Sequence, residues 1–431
     1  MIRRPTSRRR PARAGLAAKY WKLLGPGLTT GAADDDPSGI ATYSQAGAQF
    51  GLTLLWLAPF TMPLMVVVQE ACARLGLVTG LGLAANIRKH SSRRTLYICA
   101  GLLVLANSFN IGADLSAMAE AVRLLAPRLN ATALVIGFIV VSLSLQVLVP
   151  YAKYSKYLKY LTFVLFAYVI TGFMVHLSWG EVARHALVPS LALAKDQALL
   201  VCAVLGTTIS PYLFFWQASQ EVEEEVRQGK LPRSPSDISP AAIGKMRLDT
   251  WSGMIVSNVI MFFIIAVCGS TLFAHGITNI ATAADAAAAL RPLAGEGAYL
   301  LFALGIIGTG LLAIPVLAGS SAYALSETFK QKEGLYRKFR QAHFFYGVLI
   351  LSTICGLLLT LSGLDPMKAL IAAAVANGLV APVILVVLLR LSSDRRIMGR
   401  WTNHRITTAT GWLVVALMAV SGVVALAGLL L

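Results

Sequence analysis

Three consecutive carboxylates, Asp34, Asp35 and Asp36, interrupt the first long apolar segment of the sequence. A charge at the centre of a bilayer costs at least ~2.5 kcal/mol unless a partner compensates for it. Proline removes a backbone donor and glycine weakens a helix, so the next residues, 37–39 (Pro-Ser-Gly), are expected to unwind the helix. An aspartate beside freed carbonyl groups forms an oxygen-rich site suited to a metal ion. We expect one or two of the aspartates only to line a water-filled vestibule.

A second interruption lies in the sixth apolar segment, in the stretch Gly206-Thr-Thr-Ile-Ser-Pro-Tyr-Leu-Phe-Phe-Trp-Gln217. Pro211 falls near the middle of this segment, and Thr207, Thr208 and Ser210 precede it. A single proline in a membrane helix is usually only a kink. The coincidence of a break, buried carboxylates and corresponding positions in the chain favours a binding site.

The composition predicts that these breaks lie in an all-α membrane protein. The chain is 57% hydrophobic and 13% charged, whereas a soluble domain carries about 25% charged residues. A hydrocarbon core of ~30 Å needs ~20 apolar residues for each spanning helix. Eleven segments meet this requirement, at 23–49, 52–78, 95–125, 131–150, 155–178, 197–225, 247–275, 297–325, 343–363, 366–391 and 408–430.

The two breaks are five spans apart, which predicts two five-helix repeats. Because five is odd, the repeats have opposite orientations in the membrane, and unwound helices at matched positions of an inverted repeat mark the substrate site of secondary transporters. The expected organisation is a basic tail, a first repeat, an inverted second repeat and an eleventh helix, at 1–22, 23–178, 197–392 and 405–431 respectively.

Basic residues predict the orientation of the chain. Most of the 37 Lys and Arg residues fall in the tail and in every second loop, which places those regions and the amino terminus in the cytoplasm and the carboxyl terminus outside. The outer loops hold only Arg123, Arg128, Arg184, Lys195, Arg291 and Lys368. The net charge of +17 therefore concerns orientation and anionic lipid, and it does not indicate nucleic-acid binding.

Several motifs resemble the natural resistance-associated macrophage protein (NRAMP) family. Those in the first three spans are Gly25-Pro-Gly-Leu, Asp36-Pro-Ser-Gly39, Ala41-Thr42, Gln45-Ala-Gly-Ala-Gln-Phe-Gly51, Gln69, Ala73-Arg-Leu-Gly-Leu-Val-Thr-Gly80 and Ala113-Asp-Leu115. The match is dense over residues 25–120 and recognisable at 206–217. The resemblance implies a LeuT-type fold and transport of divalent transition metals, commonly with protons.

The resemblance also implies a metal site. The family binds metal through an Asp-Pro-Gly-Asn motif in the first helix and a Met-Pro-His motif in the sixth. Here the aspartate is Asp36, the asparagine has become Gly39, the methionine Ser210 and the histidine Tyr212. The metal-binding carbonyl groups of the family fall on Ala33 and Thr207.

These departures change the expected cargo. Methionine is a soft ligand that favours transition metals, and the Ser210 hydroxyl removes that discrimination. Gly39 is expected to leave more room, which suits Mg²⁺ because this ion keeps several of its waters. The pattern resembles the NRAMP-related magnesium transporters, a branch that carries Mg²⁺ and Mn²⁺. A proton-coupled transporter of Mn²⁺ or Fe²⁺ remains the alternative.

Proton coupling is expected to be lost as well. The third helix of the family carries Asp-Leu-Ala-Glu in its proton route, whereas this chain has Asp114-Leu-Ser-Ala117. Tyrosine, with an ordinary pKa of about 10, is a poor proton shuttle at neutral pH, so Tyr212 does not replace the histidine. We expect the metal to move down its gradient without obligatory proton symport.

Other polar residues leave alternatives open. Asn107, Asn110 and Asp114 share one face of the third helix. The two asparagines are interpreted more readily as interhelical contacts. Asp114 fits either an interhelical contact or an aqueous path. Asn377, in the tenth span, fits a contact to the ion and a contact between helices equally well. Asp35 is a possible supporting residue. The run Glu221-Val-Glu-Glu-Glu225 is interpreted as a solvated charge cluster.

Three other classes fit the pattern less well. A Na⁺-coupled organic-solute symporter shares the fold, but an anionic substrate would avoid the Asp36 region. A prenyltransferase would need a second aspartate-rich motif, and a passive channel would lack the paired breaks. We therefore expect a monomeric transporter of the bacterial plasma membrane, without catalytic residues or cofactor. Its partners are the transported metal ion and the bilayer.

Overall fold

The computed structural model describes residues 20–430 apart from 22, 191–194, 281–282 and 364. The basic tail predicted at 1–22 therefore lies almost wholly outside the described residues. The described residues form helices and loops without β-strands, which confirms the all-α prediction.

Nine helices of the described chain precede the sixth span. They are α1 (Pro26–Asp34), α2 (Pro37–Phe50), α3 (Leu57–Thr79), α4 (Leu83–His90), α5 (Arg93–Leu125), α6 (Ala131–Leu148), α7 (Tyr151–Leu161), α8 (Phe166–Met174) and α9 (Trp179–Leu187). The fifth span consists of α7 and α8, joined by a 3₁₀ turn at Thr162–Leu165.

The remaining helices complete the bundle. They are α10 (Lys195–Thr208), α11 (Pro211–Gln228), α12 (Pro240–Thr271), α13 (Ala283–Thr328), α14 (His343–Leu361), α15 (Pro366–Ser393), α16 (Arg395–Met398) and α17 (Arg405–Leu430). Helix α13 begins well before the predicted span at 297–325, and its helical geometry is interrupted at Gly295, where φ is 85°.

The helix count agrees with the eleven predicted spans. Ten stretches of the described chain are long and apolar enough to cross a membrane. The first predicted span is not among them because it is divided into α1, of 9 residues, and α2, of 14 residues. Together these two helices supply the eleventh crossing.

Both helix breaks are present, but the first lies earlier than predicted. The expectation that residues 37–39 unwind is wrong, because Pro37 opens α2 and the break falls at Asp35 and Asp36. The backbone N–H groups in the first turn of a helix have no acceptor within the helix, so the N–H that proline lacks is not missed there. The fixed φ of proline also suits that position. The second break follows the same rule, since Pro211 opens α11 after the interruption at Ile209 and Ser210.

Helix α1 is held tightly against α12. The Asp249 carboxylate of α12 accepts hydrogen bonds from the backbone N–H groups of Gly25 (2.7 Å), Gly27 (2.8 Å) and Leu28 (3.1 Å). These N–H groups begin the helix and have no partner within it. A Cβ atom added at Gly253 of α12 would lie 2.0 Å from the Gly27 carbonyl oxygen, so only glycine permits this approach.

The second break is positioned by a similar contact. Helix α10 packs against α15, and a Cβ atom added at Gly206 would lie 2.0 Å from the Ala374 carbonyl oxygen. Helix α2 packs against both α12 and α5. The two breaks are thus held in the interior of the bundle by contacts between backbones.

The contact at Gly253 predicts a local stability effect. Gly253→Ala should destabilise the protein by about 1–3 kcal/mol, because the new methyl group overpacks the α1–α12 contact. Gly244→Ala is the matched control on the same helix, since an added Cβ there would meet nothing within 4 Å. Thermal unfolding of the detergent-solubilised protein measures both, and equal midpoints for the two variants would contradict this packing.

Candidate functional site

Asp36 lies at the centre of the candidate site, at the start of α2, and is 1% exposed. Its Oδ1 atom accepts hydrogen bonds from the Gly39 N–H (2.7 Å) and the Ser38 hydroxyl (2.6 Å). Its Oδ2 atom accepts one from the Asn110 side-chain amide of α5 (2.7 Å). The carboxylate therefore caps α2 and points into the space between the two helix breaks.

Tyr212 of α11 joins the two breaks. Its hydroxyl donates to the Ala33 carbonyl oxygen at 2.9 Å and lies 3.4 Å from Asp36 Oδ2. The hydroxyl has a single hydrogen, and the shorter contact shows that Ala33 takes it. A backbone carbonyl freed by the first break is thus satisfied by a side chain from the second.

The second break contributes Thr207 and Ser210. The Ser210 hydroxyl lies 2.8 Å from the Gly206 carbonyl oxygen and 2.6 Å from the Thr207 carbonyl oxygen, and its single hydrogen can be donated to either. These carbonyl groups are left open at the end of α10. Thr207 Oγ1 is buried without a hydrogen-bond partner. A Cβ atom added at Gly39 would lie 3.0 Å from that oxygen, so the room expected beside Gly39 is narrow.

Asp114 brings a second carboxylate to this region. It is fully buried on α5, and both of its oxygens lack a hydrogen bond of ordinary geometry, although the Ser38 backbone N–H lies close to it. Asp114 therefore lies beside the start of α2, and a contact between helices and a role in an aqueous path both remain open for it.

The two asparagines of α5 make different contacts. The Asn107 amide donates to the Leu317 carbonyl oxygen (3.0 Å) and to the hydroxyls of Ser320 (2.8 Å) and Ser321 (2.9 Å) on α13. Both asparagines thus make the interhelical contacts that the sequence favoured, and the Asn110 amide makes its contact at Asp36, inside the candidate site.

Asn377 is buried beside the second break. It precedes Gly378, and a Cβ atom added at Gly378 would lie 3.4 Å from the Gly206 Cα atom. Both polar atoms of the Asn377 side chain lack a partner. The two roles that the sequence left open for Asn377, a contact to the ion and a contact between helices, therefore both remain open.

Asp34 and Asp35 are turned away from Asp36. The Ser257 hydroxyl of α12 lies 2.8 Å from Asp34 Oδ2 and 3.4 Å from Asp35 Oδ1. The sequence interpretation missed Ser257, although a serine within an apolar span was a signal for it. The expected water-filled vestibule is also absent here, because all three aspartates are at most 1% exposed.

Two cavities lie at opposite ends of the first span. One, of about 850 Å³, is lined by α1, α7, α11 and α12 and includes Lys159, Glu221 and Asp249. The other, of about 760 Å³, includes Gln45, Thr278 and Asp365. Since Asp36, Ala33 and Thr207 are buried, this conformation closes the site from both ends.

The glutamate run at the end of α11 is not the solvated cluster that the sequence predicted. Glu221 and Glu223 are buried, and Glu223 accepts hydrogen bonds from the backbone N–H groups of Leu335 (2.6 Å) and Tyr336 (3.2 Å). In the same loop, burial raises the pKa of Glu333 to about 9. Contacts with a distant loop explain the burial of Glu223, while Glu221 accepts a hydrogen bond from the Gln217 side chain of the same helix.

The donor set around Asp36 consists of oxygen atoms. No group of three His, Cys, Asp or Glu side chains that could hold a metal occurs among the described residues, so a bound ion would depend on backbone carbonyl, hydroxyl and amide oxygens as well. None of the ion pairs in the described part of the chain involves Asp34, Asp35, Asp36 or Asp114. Such a site suits a hard cation.

Comparisons with known proteins identify the fold. In a crystal structure, a manganese transporter of Eremococcus coleocola superposes with a TM-score of 0.71 at 19% identity, covering 96% of this chain and 87% of that one. Mhp1, a nucleobase-cation-symport-1 family transporter, superposes with a TM-score of 0.54 at 17% identity, covering 94% and 91%. These likenesses confirm the LeuT-type fold.

Sequence comparison identifies the family. A divalent metal cation transporter, MntH, of Aeromonas hydrophila is 26% identical over 406 residues, which are 92% of this chain and 93% of the relative. The sequence profile described as natural resistance-associated macrophage protein-like matches residues 27–428. Because that match spans nearly the whole chain, the protein belongs to the Nramp family of multi-pass membrane transporters and is not an enzyme.

Proposed function

We propose that this protein carries divalent cations, primarily Mg²⁺ and also Mn²⁺, by alternating access and without obligatory proton coupling. The observation that carries the proposal is that the two buried helix breaks meet at Asp36. The Tyr212 hydroxyl of the second break lies against both the Ala33 carbonyl and the Asp36 carboxylate. Thr207 Oγ1 lies close to Gly39. A bound cation would replace the hydrogen bonds that Tyr212 and Ser210 make to the carbonyl groups at these breaks.

The preference for Mg²⁺ rests on ligand hardness. The two positions where the family has a methionine and an asparagine are Ser210 and Gly39. Several side-chain atoms left unpartnered around the two breaks can accept hydrogen bonds, among them Asn110 Oδ1, Thr207 Oγ1 and the Asp114 oxygens. Acceptors of this kind can hold the water shell that Mg²⁺ retains.

The names of the relatives support a divalent cargo and leave its identity open. One relative is a divalent metal cation transporter, and a structural relative is a manganese transporter. They favour Mn²⁺ as a cargo, and proton-coupled Mn²⁺ or Fe²⁺ transport is the second candidate. A Na⁺-coupled organic-solute symporter receives less support, because two buried carboxylates would repel an anionic substrate.

The basic residues of the loops support a plasma-membrane orientation with the amino terminus in the cytoplasm and the carboxyl terminus outside. In that orientation the cavity at α1 and α11 faces the cytoplasm, and Lys156, Lys159 and Lys245 line it. We infer that a monomer suffices for transport, since both breaks come from one chain.

The first prediction concerns Asp36. Asp36→Asn should reduce Mg²⁺ and Mn²⁺ uptake into proteoliposomes to background, because the isosteric amide keeps the shape but removes the charge. Glu181→Gln is the control, since Glu181 is exposed on α9 and should transport as the unmodified protein does. Undiminished uptake by Asp36→Asn would rule out this cargo site.

The second prediction concerns metal selectivity. Ser210→Met should raise uptake of Mn²⁺ relative to Mg²⁺ by about tenfold, equivalent to about 1.4 kcal/mol, because a thioether prefers the softer ion. Ser210→Ala, which removes the hydroxyl without adding sulfur, should leave the ratio near its original value. The ratio comes from competition between the two ions, and an unchanged ratio in Ser210→Met would contradict the argument from hardness.

The third prediction concerns coupling. Mg²⁺ uptake should continue without a pH gradient and should leave the internal pH unchanged, since Ala117 and Tyr212 replace the proton-carrying residues of the family. A pH-sensitive dye inside the vesicles measures proton entry during uptake. Acidification in fixed proportion to the metal taken up would favour the proton-coupled alternative instead.

A further inference from the structure

Beside the Asp36 site lies a second group of oxygen atoms, carried by helices α1 and α12. We call this group the α1–α12 pair after the two helices that carry it. It consists of the carboxylates of Asp34 and Asp35 at the end of α1 and the Ser257 hydroxyl of α12. Both carboxylates are 0% exposed. The transport site described above uses neither of them.

The hydrogen bonds of the α1–α12 pair are incomplete. The Ser257 hydroxyl lies within 3.4 Å of both carboxylates, but its single hydrogen can neutralise neither charge. Asp34 Oδ1 and Asp35 Oδ2 are buried without a hydrogen-bond partner. A buried charged group left without a partner is unfavourable, so the pair as described lacks a component.

The surroundings of the pair add negative charge, and none of the ion pairs in the described part of the chain involves its carboxylates. The end of α1 carries the partial negative charge of a helix C-terminus, where a carboxylate is disfavoured and a cation is stabilised. Asp36 follows directly, and among the described residues Tyr43, Tyr168 and Tyr212 also interact with Asp34 or Asp35. Two carboxylates, a hydroxyl and the carbonyl end of a half-helix form a ligand set for a hard cation.

The α1–α12 pair is separate from the Asp36 site. The Asp36 carboxylate faces Asn110 of α5 and Tyr212 of α11, whereas the carboxylates of Asp34 and Asp35 face Ser257 of α12. The Asp34 carbonyl oxygen lies on the other side, near Gly39. The end of α1 thus presents oxygen atoms in two directions.

We propose that Asp34, Asp35 and Ser257 form a second cation site, which binds a divalent ion next to the ion held by Asp36. The inference rests on the proposed function, because it takes the second ion from the same class as the cargo. The ligand chemistry supports a divalent ion, since Asp34 Oδ1 and Asp35 Oδ2 are unpartnered carboxylate oxygens and the Ser257 hydroxyl adds a third hard ligand beside them.

The test counts bound ions and measures their proximity. The purified full-length protein in lipid nanodiscs is titrated with Mn²⁺, with electron paramagnetic resonance reporting free and bound metal. We expect two Mn²⁺ per chain and a spectrum broadened by dipolar coupling between neighbouring ions. Asp34→Asn combined with Asp35→Asn should bind one Mn²⁺ without that broadening, and Asp36→Asn should also bind one.

Two further variants test whether misfolding or non-specific binding explains the number of bound ions. Ser257→Ala keeps both carboxylates and should weaken one of the two binding events by about tenfold, as expected when a hydroxyl beside a metal ligand is lost. Asp196→Asn removes an exposed carboxylate and should still bind two ions with the broadened spectrum.

Other outcomes separate this inference from the proposed function. One Mn²⁺ in the unmodified protein, lost in Asp36→Asn, would overturn the second site and leave the cargo site intact. One Mn²⁺ lost only in the Asp34 and Asp35 double variant would overturn both assignments. Two ions retained in the double variant and in Ser257→Ala would overturn the second site alone.

Discussion

A helix that is interrupted inside a membrane must still satisfy its backbone polar groups, and this requirement shapes the whole site. Asp36 caps the N–H groups at the start of α2, the Ser210 hydroxyl contacts the carbonyl groups at the end of α10, and Tyr212 donates to Ala33. Each of these contacts is made by a group at a position that the family resemblance assigns to metal binding, either a ligand oxygen or a residue that replaces a ligand. On the proposed function, satisfying the breaks and binding an ion are therefore alternative uses of the same atoms.

Electrostatics add a second requirement. Four carboxylates, those of Asp34, Asp35, Asp36 and Asp114, are buried in one region without an ion pair in the described part of the chain. A structural role rarely justifies that arrangement in a membrane, because a buried charge without a partner is costly. On the proposed function, bound cations supply the missing charge, which would couple ion binding to folding stability.

Much of this arrangement was predictable from sequence, for identifiable reasons. Apolar length predicts the spans, and the paired prolines at 37 and 211 predict the breaks. Three features were not predictable. They are the burial of Glu221 and Glu223, the separate contacts of Asn107 and Asn110, and the contact of Asp34 with Ser257. Each depends on how a helix is rotated about its axis against a neighbour distant in sequence, and spacing within one helix cannot supply that information. The break itself shifted because proline prefers the first turn of a helix.

The Tyr212 hydrogen bond to the Ala33 carbonyl has a consequence for the transport cycle. A carrier whose vacant site leaves bare carbonyl groups in the membrane interior pays a high energetic cost to reorient without cargo, so it tends to exchange one ion for another. On the proposed function, the hydroxyl substitutes for the ion when the site is vacant. The unloaded protein would then return across its cycle, and net accumulation would be driven by the membrane potential without a counter-transported ion.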